Sequence, residues 1–320
     1  KILNFLTFGI YSNDTIVMDV TTVDNPPTSG LPSDTITVKN GESVISGSSA
    51  TADSNVTGSS TVTYSYNLGN LDSTYNLSFT VKDNANNVNE NIALADLVKD
   101  NKVKANDKSL TEEQLKNVSD VFEVVSSTKE PTAKVSSYKA RGANAFNDNN
   151  IYHGDQLTVT LDLNNDISGL QSISDLSVSG FENSNFSNFK LTKINGKEQS
   201  VTAKSFDDLA KEFKNQTTNE KVKSATVTFD IDIKDNQNYS GSHEVSLTVT
   251  DNSGNVNSEV DKSTFYVDNT APEITEVKFS KKNDVIGKIL NFLTFGIYSN
   301  DTIVMNVTTV DNAPTSGLPS

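Results

Sequence analysis

The chain contains no cysteine and no tryptophan, and its 320 residues include only two histidines, two methionines and one arginine. Without cysteine there is no disulfide framework and no thiolate metal site. Stability must then come from core packing, contacts between repeats, a bound cation or another cross-link. The two histidines, His153 and His243, give no zinc spacing, and neither a nucleophile elbow nor a phosphate loop is visible. Catalysis is not expected of these residues. The missing tryptophan and the single arginine, Arg141, remove two of the side chains on which binding hot spots usually rest. Positive charge is scarce as well: 26 Lys and Arg face 41 Asp and Glu, for a net charge of −15. Such a chain has no basic track for a phosphate backbone and is repelled by an anionic bilayer, so nucleic acid and direct membrane insertion are not expected. Long hydrophobic runs are also absent. The greasiest stretch, Lys1–Tyr11, is too short to cross a membrane.

What is present is period-two alternation. Apolar residues recur at Ile16/Met18/Val20, Val62/Tyr64/Tyr66/Leu68 and Tyr75/Leu77/Phe79/Val81. They return at Leu157/Val159/Leu161/Leu163, Val227/Phe229/Ile231/Ile233 and Val245/Leu247/Val249. Each set lines one face of a pleated strand, with Thr, Ser, Asp or Asn on the other face. On this reading Asp230 and Asp232 share a solvated face. Short strands divided by Gly, Asn, Asp and Pro turns predict an all-β chain of antiparallel β-sandwiches. The hydrophobic content of 34% implies small cores.

Repetition is the second signal. Lys1–Ser33 returns as Lys288–Ser320, differing only at Asp19/Asn306 and Pro26/Ala313. A weaker repeat lies inside this long one. Ile151–Thr160 echoes Ile10–Asp19, Ser168–Leu170 echoes Ser29–Leu31, and Leu247–Asn257 echoes Phe79–Asn89. Phe122–Val125 with Pro131 echoes Phe265–Asp268 with Pro272. The expected modules are therefore residues 1–127, 128–269 and 270–320, the last a truncated copy of the first type. Arrays of this kind span distance or present copies of a surface.

Two helical excursions interrupt the pattern. One is expected near residues 94–120, starting at Ser109 or Thr111 with a capping box and using Leu115, Val118 and Phe122 as its apolar side. The other is expected near 205–214, with Phe206, Leu209 and Phe213 on one face. Helices this short must pack on a sandwich.

Val267–Ile274, Asp251–Asn255 and Gly287–Gly296 together resemble the module joint, the late turn and the opening segment of bacterial Ig-like repeat modules from Gram-positive cell-surface, adhesin-like proteins. The resemblance implies a secreted, wall-associated stalk or adhesin scaffold. It also implies two alternatives: modules that themselves bind a host glycoprotein or immunoglobulin, or an accessory spacer beside a surface carbohydrate-active enzyme. Its motifs specify a fold and no ligand. Ser127–Pro131 departs from the joint pattern, and Asn144–Asn147 replaces the Phe-Leu-Thr-Phe segment.

The candidate residues follow from side-chain type. Phe5 and Phe8, their copies Phe292 and Phe295, and the prolines Pro131 and Pro272 are assigned to the cores and seams between neighbouring modules. Proline fixes its own φ and biases the preceding residue towards an extended form, which restricts bending. Tyr64, Tyr66, Tyr75, Phe122 and Phe213 are the candidate aromatic anchors for a host extracellular protein or glycan. The Asx-rich turns at Asp24, Asp83 with Asn87, and Asp251 with Asn255 can ligate calcium through oxygen. They can equally hydrogen-bond their own backbone without metal; no other cofactor is expected. Finally, the first module starts after the place of an opening strand, so Glu273–Ser280 is expected to add to the first module of a neighbouring chain.

Overall fold

The computed structural model describes residues 3–46, 48–51, 61–69, 71–234, 237–281, 291–293, 296–298 and 302–313. The chain is all-β, built as tandem β-sandwiches with short helical insertions.

The second sandwich is the fuller one. Its six-stranded sheet runs in the order Lys197–Ala203, Phe186–Ile194, Ser224–Asp232, Gln156–Asn164, Thr132–Arg141 and Val260–Asp261. Facing it are Phe146–Asp148, Ile151–His153, Thr264–Val267, Gly241–Asp251 and Leu170–Val178. The alternating residues Leu157, Val159, Leu161 and Leu163 turn inward against Val245, Leu247 and Val249, all at most 1% exposed. Full burial of such side chains is worth about 1.5–3 kcal/mol each before entropy is counted.

The first sandwich repeats this plan with its own core, centred on Val38, Tyr66, Leu68, Leu77, Phe79 and Phe122. Its sheets are Leu3–Leu6, Gly9–Ser12, Glu123–Ser126 and Ser73–Tyr75; then Val88–Ala93, Leu77–Lys82, Ile36–Asn40 and Ser43–Ile45; and Ile16–Val23, Thr61–Leu68 and Ser48–Thr51. Corresponding features recur in each copy. A short hairpin joins Leu3–Leu6 to Gly9–Ser12, Phe146–Asp148 to Ile151–His153, and Asn291–Leu293 to Gly296–Tyr298.

Not every pairing is antiparallel. Gly9–Ser12 lies parallel to Glu123–Ser126, and Ile151–His153 lies parallel to Thr264–Val267. The last strand of each sandwich thus closes beside the strand near its start.

Several local expectations need correction. Tyr75, Leu77, Phe79 and Val81 do not share one strand. The chain breaks at Asn76, so that Ser73–Tyr75 joins Glu123–Ser126 while Leu77–Lys82 crosses to Ile36–Asn40. The first excursion holds two short helices, Leu94–Lys99 and Glu112–Leu115. The Thr111/Gln114 capping box forms, but the second helix ends after a single turn. Phe122 falls outside it, just before a strand, packed edge-on against Phe5 at 5.9 Å. The other helix is longer than expected, Phe206–Asn219, capped by the Ser205 hydroxyl and anchored by Leu209, Phe213 and Thr217.

Asp230 does not face solvent. It is 2% exposed and accepts from Arg141 Nη2 at 2.6 Å, Thr158 Oγ1 at 2.6 Å and Asn188 Nδ2 at 2.7 Å. The Arg141 guanidinium covers the carboxylate, so a polar position in the pattern became a buried one.

Candidate functional site: the joint between the sandwiches

The side chains that join the first two sandwiches come from the opening hairpin and the strand Glu123–Ser126 of the first and chiefly from turns of the second. At the centre are Phe8, Tyr11 and Val125 of the first, with Leu6, also of the first, and Ile167 of the second packed against them. Phe8 and Tyr11 meet edge to face at 5.7 Å. Gly9 permits this arrangement, because a Cβ there would sit 2.7 Å from the Glu123 carbonyl oxygen and 2.9 Å from the Tyr11 hydroxyl. Burial, and then the Glu123 charge, push the Tyr11 phenol far above its ordinary pKa, so it stays neutral. Its hydroxyl has no hydrogen-bond partner among the described residues.

A charged pair borders this cluster. Lys221 Nζ donates to Glu123 Oε2 at 2.6 Å, with side chains 15% and 22% exposed, and lies 5.7 Å from the centre of the Tyr11 ring. Asn4 Nδ2 donates to the Asn252 carbonyl at 2.5 Å, and Thr7 Oγ1 to the Thr218 carbonyl at 3.3 Å.

The connecting segment is held by an Asn corner of the second sandwich. The Asp251 carboxylate accepts from Asn255 N (2.9 Å), Asn255 Nδ2 (2.9 Å), Asn165 Nδ2 (3.0 Å) and Ser168 Oγ (2.8 Å). The same Asn255 amide donates outward to the carbonyls of Ser127 at 2.8 Å and Lys129 at 3.2 Å. Asn165 also reaches Lys129, and Asn257 Nδ2 holds the Pro131 carbonyl at 2.9 Å. From the other side, Asp72 accepts from the Thr128 backbone N–H at 2.8 Å. Five carbonyl and amide groups of residues 127–131 and 252 are thereby fixed by side chains of the opposite sandwich or of the first sandwich's own edge.

The same corner occurs in the first sandwich. Asn87 N and Nδ2 donate to Asp83 at 2.8 and 2.6 Å, and Asn84 N and Nδ2 to the Gly30 and Ser29 carbonyls at 3.0 Å. Asn252 makes the matching pair of bonds to Gly169 at 2.9 Å and Ser168 at 3.0 Å. Gly30 and Gly169 hold the same positive φ, 80° and 78°. Position in the joint is what separates the two corners. Asp251, Asn252 and Ser253 are fully buried, while 83–87 are largely exposed. The electrostatics follow: the Asn87 amide draws the Asp83 carboxyl below its ordinary pKa, whereas burial pushes Asp251 up against the pull of its donors.

The candidate residues fall into three groups. Phe8 lies in the joint and Phe5 in the first core. Pro131 is buried in the joint, while Pro272 is exposed. Phe295 lies outside the described residues, and of Phe292 only the backbone, in Asn291–Leu293, is described. As binding anchors, four of the five aromatics need correction. Tyr66 (2%), Tyr75 (7%), Phe122 (2%) and Phe213 (0%) are buried in the cores and offer no ring to a partner. Tyr66 alternates with core residues along its strand, and Phe213 lies on the buried face of its helix. Tyr64 is half-buried, with its hydroxyl on the Ser33 carbonyl.

Asp24, the third Asx turn, accepts from Thr28, Ser29 and Gly30. Both carboxylate oxygens of Asp83 and Asp251, and Oδ2 of Asp24, are engaged by N–H or O–H donors. A calcium site needs converging bare oxygens, so these turns fit the metal-free arrangement. Among the described residues no group of three or more His, Asp or Glu is placed to hold a metal ion. Sequence reasoning missed Asn165 and Lys221. The recurrence of Asp-Asn-x-x-Asn at 83–87 and 251–255, which includes Asn252, pointed towards the corner.

No family model matches the chain, and no curated protein matches it. Among solved structures, it is similar to BcpA, the major pilin subunit of Bacillus cereus, at 12% identity and a TM-score of 0.23, covering 91% of this chain and 85% of that one. It is also similar to the sialic acid binding region of a Streptococcus sanguinis adhesin, at 12% identity and a TM-score of 0.23, covering 81% and 74%. A third is the collagen binding domain of the Erysipelothrix rhusiopathiae surface protein RspB, at 13% identity and a TM-score of 0.21, covering 82% and 90%. Scores this low carry no argument about shape or ligand. The fold stands on the sheets and cores described above.

Proposed function

We propose that the chain is a non-enzymatic, extracellular repeat region of a bacterial surface protein, a stalk that spaces and displays a binding function. The observation that carries this reading is the joint. Residues 127–131 are gripped by Asn255, Asn165, Asn257 and Asp72, while Lys221–Glu123 and the Phe8/Tyr11/Val125 cluster lock the flanks. A repeat array transmits position only when each joint has one geometry. Near-identity between Lys1–Ser33 and Lys288–Ser320 supports the array, since identical segments build identical joints.

Host recognition by the modules themselves, whether of a glycoprotein, a glycan or an immunoglobulin, is the weaker reading, because four of the five candidate anchors are core residues. A spacer beside a carbohydrate-active enzyme would use the same rigid joint. Pull-down from host serum and mucin with the full chain separates a stalk from recognition by the modules. The stalk reading expects no saturable binding that survives high salt; such binding would overturn it in favour of recognition by the modules.

A further inference from the structure

A pull along the chain enters the second sandwich through residues 127–131 and leaves it after Val267. These two points lie at opposite ends of the sheets. Thr132 pairs with Asn164 where the chain enters, and Arg141 pairs with Gln156 at the far end. The hairpin from Phe146–Asp148 to Ile151–His153 turns back from that far end, so Ile151–His153 runs towards Gln156. The last strand, Thr264–Val267, lies parallel to Ile151–His153 and antiparallel to Gly241–Glu244, and so leaves at the far end. Phe265 and Val267, both fully buried, pin it to the core. Such a pull is therefore directed along both terminal strands. Ladder bonds stand across the strands. A load along the strands is shared by all of them at once, whereas a load across the strands breaks the end bond first and then the next.

The parallel ladder is unequal in the two sandwiches. In the first it covers four pairs, Gly9 with Glu123 to Ser12 with Ser126; in the second it covers two, Ile151 with Tyr266 and Tyr152 with Val267. Side chains prolong the shorter one. His153 Nδ1 lies 2.9 Å from the Asp268 carbonyl oxygen and 2.8 Å from Asn269 Oδ1; both are acceptors, so this nitrogen carries the proton. Asn269 Nδ2 donates to the Ile233 carbonyl at 2.8 Å, and Asn269 N to Ser240 Oγ at 2.9 Å. The Asp268 N–H donates to the Tyr152 carbonyl at 3.0 Å. In the first sandwich Ser12 stands where the second has His153, and its hydroxyl is occupied by the Asp14 N–H of its own loop. We infer that the parallel ladder of the second sandwich, with the His153–Asn269–Ser240 clip beyond it, is a load-bearing clamp that resists a pull along the strands far better than a pull across them. The use of such a clamp rests on the stalk reading; its directional strength does not.

The test is force spectroscopy on the full chain, whose lack of cysteine allows handles at chosen sites. Glu130→Cys with Ala271→Cys, both at exposed positions, loads the second sandwich along its strands. Ala143→Cys with Ala271→Cys, again both exposed, places the two handles at the far end and loads the same sandwich across its strands. At one loading rate the first pair is expected to need a severalfold larger force. Forced unfolding is governed by the unfolding rate, so a sandwich that is stable without a clamp gives equal forces in the two directions, and that result overturns the inference. Asn269→Ala should lower the force along the strands while the length released on unfolding stays the same, which shows that the variant had folded. An unchanged force in that variant overturns the clip. Saturable binding of serum or mucin proteins would end the stalk reading and leave the difference between the two directions intact.

Discussion

Replacing Asn255 and Asn87 by alanine, one at a time, removes the same side chain from the same corner in two settings. Asn87→Ala loses one amide bond to the exposed Asp83. A solvent-accessible hydrogen bond is readily exchanged for water, so the loss is small. Asn255→Ala loses a bond to the buried Asp251 carboxylate and frees the carbonyls of Ser127 and Lys129. A bond to a charged group is worth about 1.5–3 kcal/mol and an unmet buried carbonyl costs about 1 kcal/mol more, for a total of about 2–4 kcal/mol. For a sandwich of this size that lowers the melting transition by roughly 5–15 °C, against no more than about 2 °C for Asn87→Ala. Differential scanning calorimetry reads both, and resolves the sandwiches if they melt separately. Equal shifts, or a larger one at Asn87, would refute the assignment of the second corner to the joint.

Two further perturbations address the same contacts. Gly9→Ala should destabilise the first sandwich by about 1–3 kcal/mol, because its Cβ meets the Glu123 carbonyl and the Tyr11 ring; urea denaturation checks it, and a neutral effect would contradict the packing. The two carboxylates of the joint should show opposite pH signs. Burial raises the Asp251 pKa above its ordinary 3.8, so its contribution is fully present below that value and is lost as pH rises through the raised pKa. The Thr128 backbone N–H lowers the Asp72 pKa, so its contribution is present above 3.8 and is lost as pH falls through the lowered value. In melting curves from acid to neutral pH, the advantage of wild type over Asp251→Asn should shrink with rising pH, and that over Asp72→Asn should grow. The same sign for both would contradict the two environments.

Strand alternation made the sandwich cores readable in advance. Leu157 to Leu163 and Val227 to Ile233 turn inward as their spacing requires, since a pleated strand has only two faces. Breaks in a run were not readable. Asn76 is a single polar residue inside an unbroken alternation, yet it carries the chain from one sheet to another. The six residues Leu94–Lys99 are too few to show a helical period, although Leu94, Ala95 and Val98 are buried. Alternation does not say which face of a strand is wet, so Tyr66 reads equally well as a core ring or a surface anchor. Phe213 did carry a mark, its place on the apolar face of a helix that has to pack on the sandwich. The joint was the least legible part. It is made by residues far apart in sequence, such as Asn4 with Asn252 and Glu123 with Lys221, and no local pattern records such meetings.

A fixed geometry between the sandwiches is best tested by a distance distribution. Spin labels on Ser43→Cys and Lys197→Cys, both at exposed positions, would sit one on each sandwich of a chain that otherwise has no cysteine. Pulsed dipolar spectroscopy is expected to give one narrow distance that broadens when Asn255→Ala is added. A broad distribution in the wild-type background, unchanged by that substitution, would contradict a locked joint.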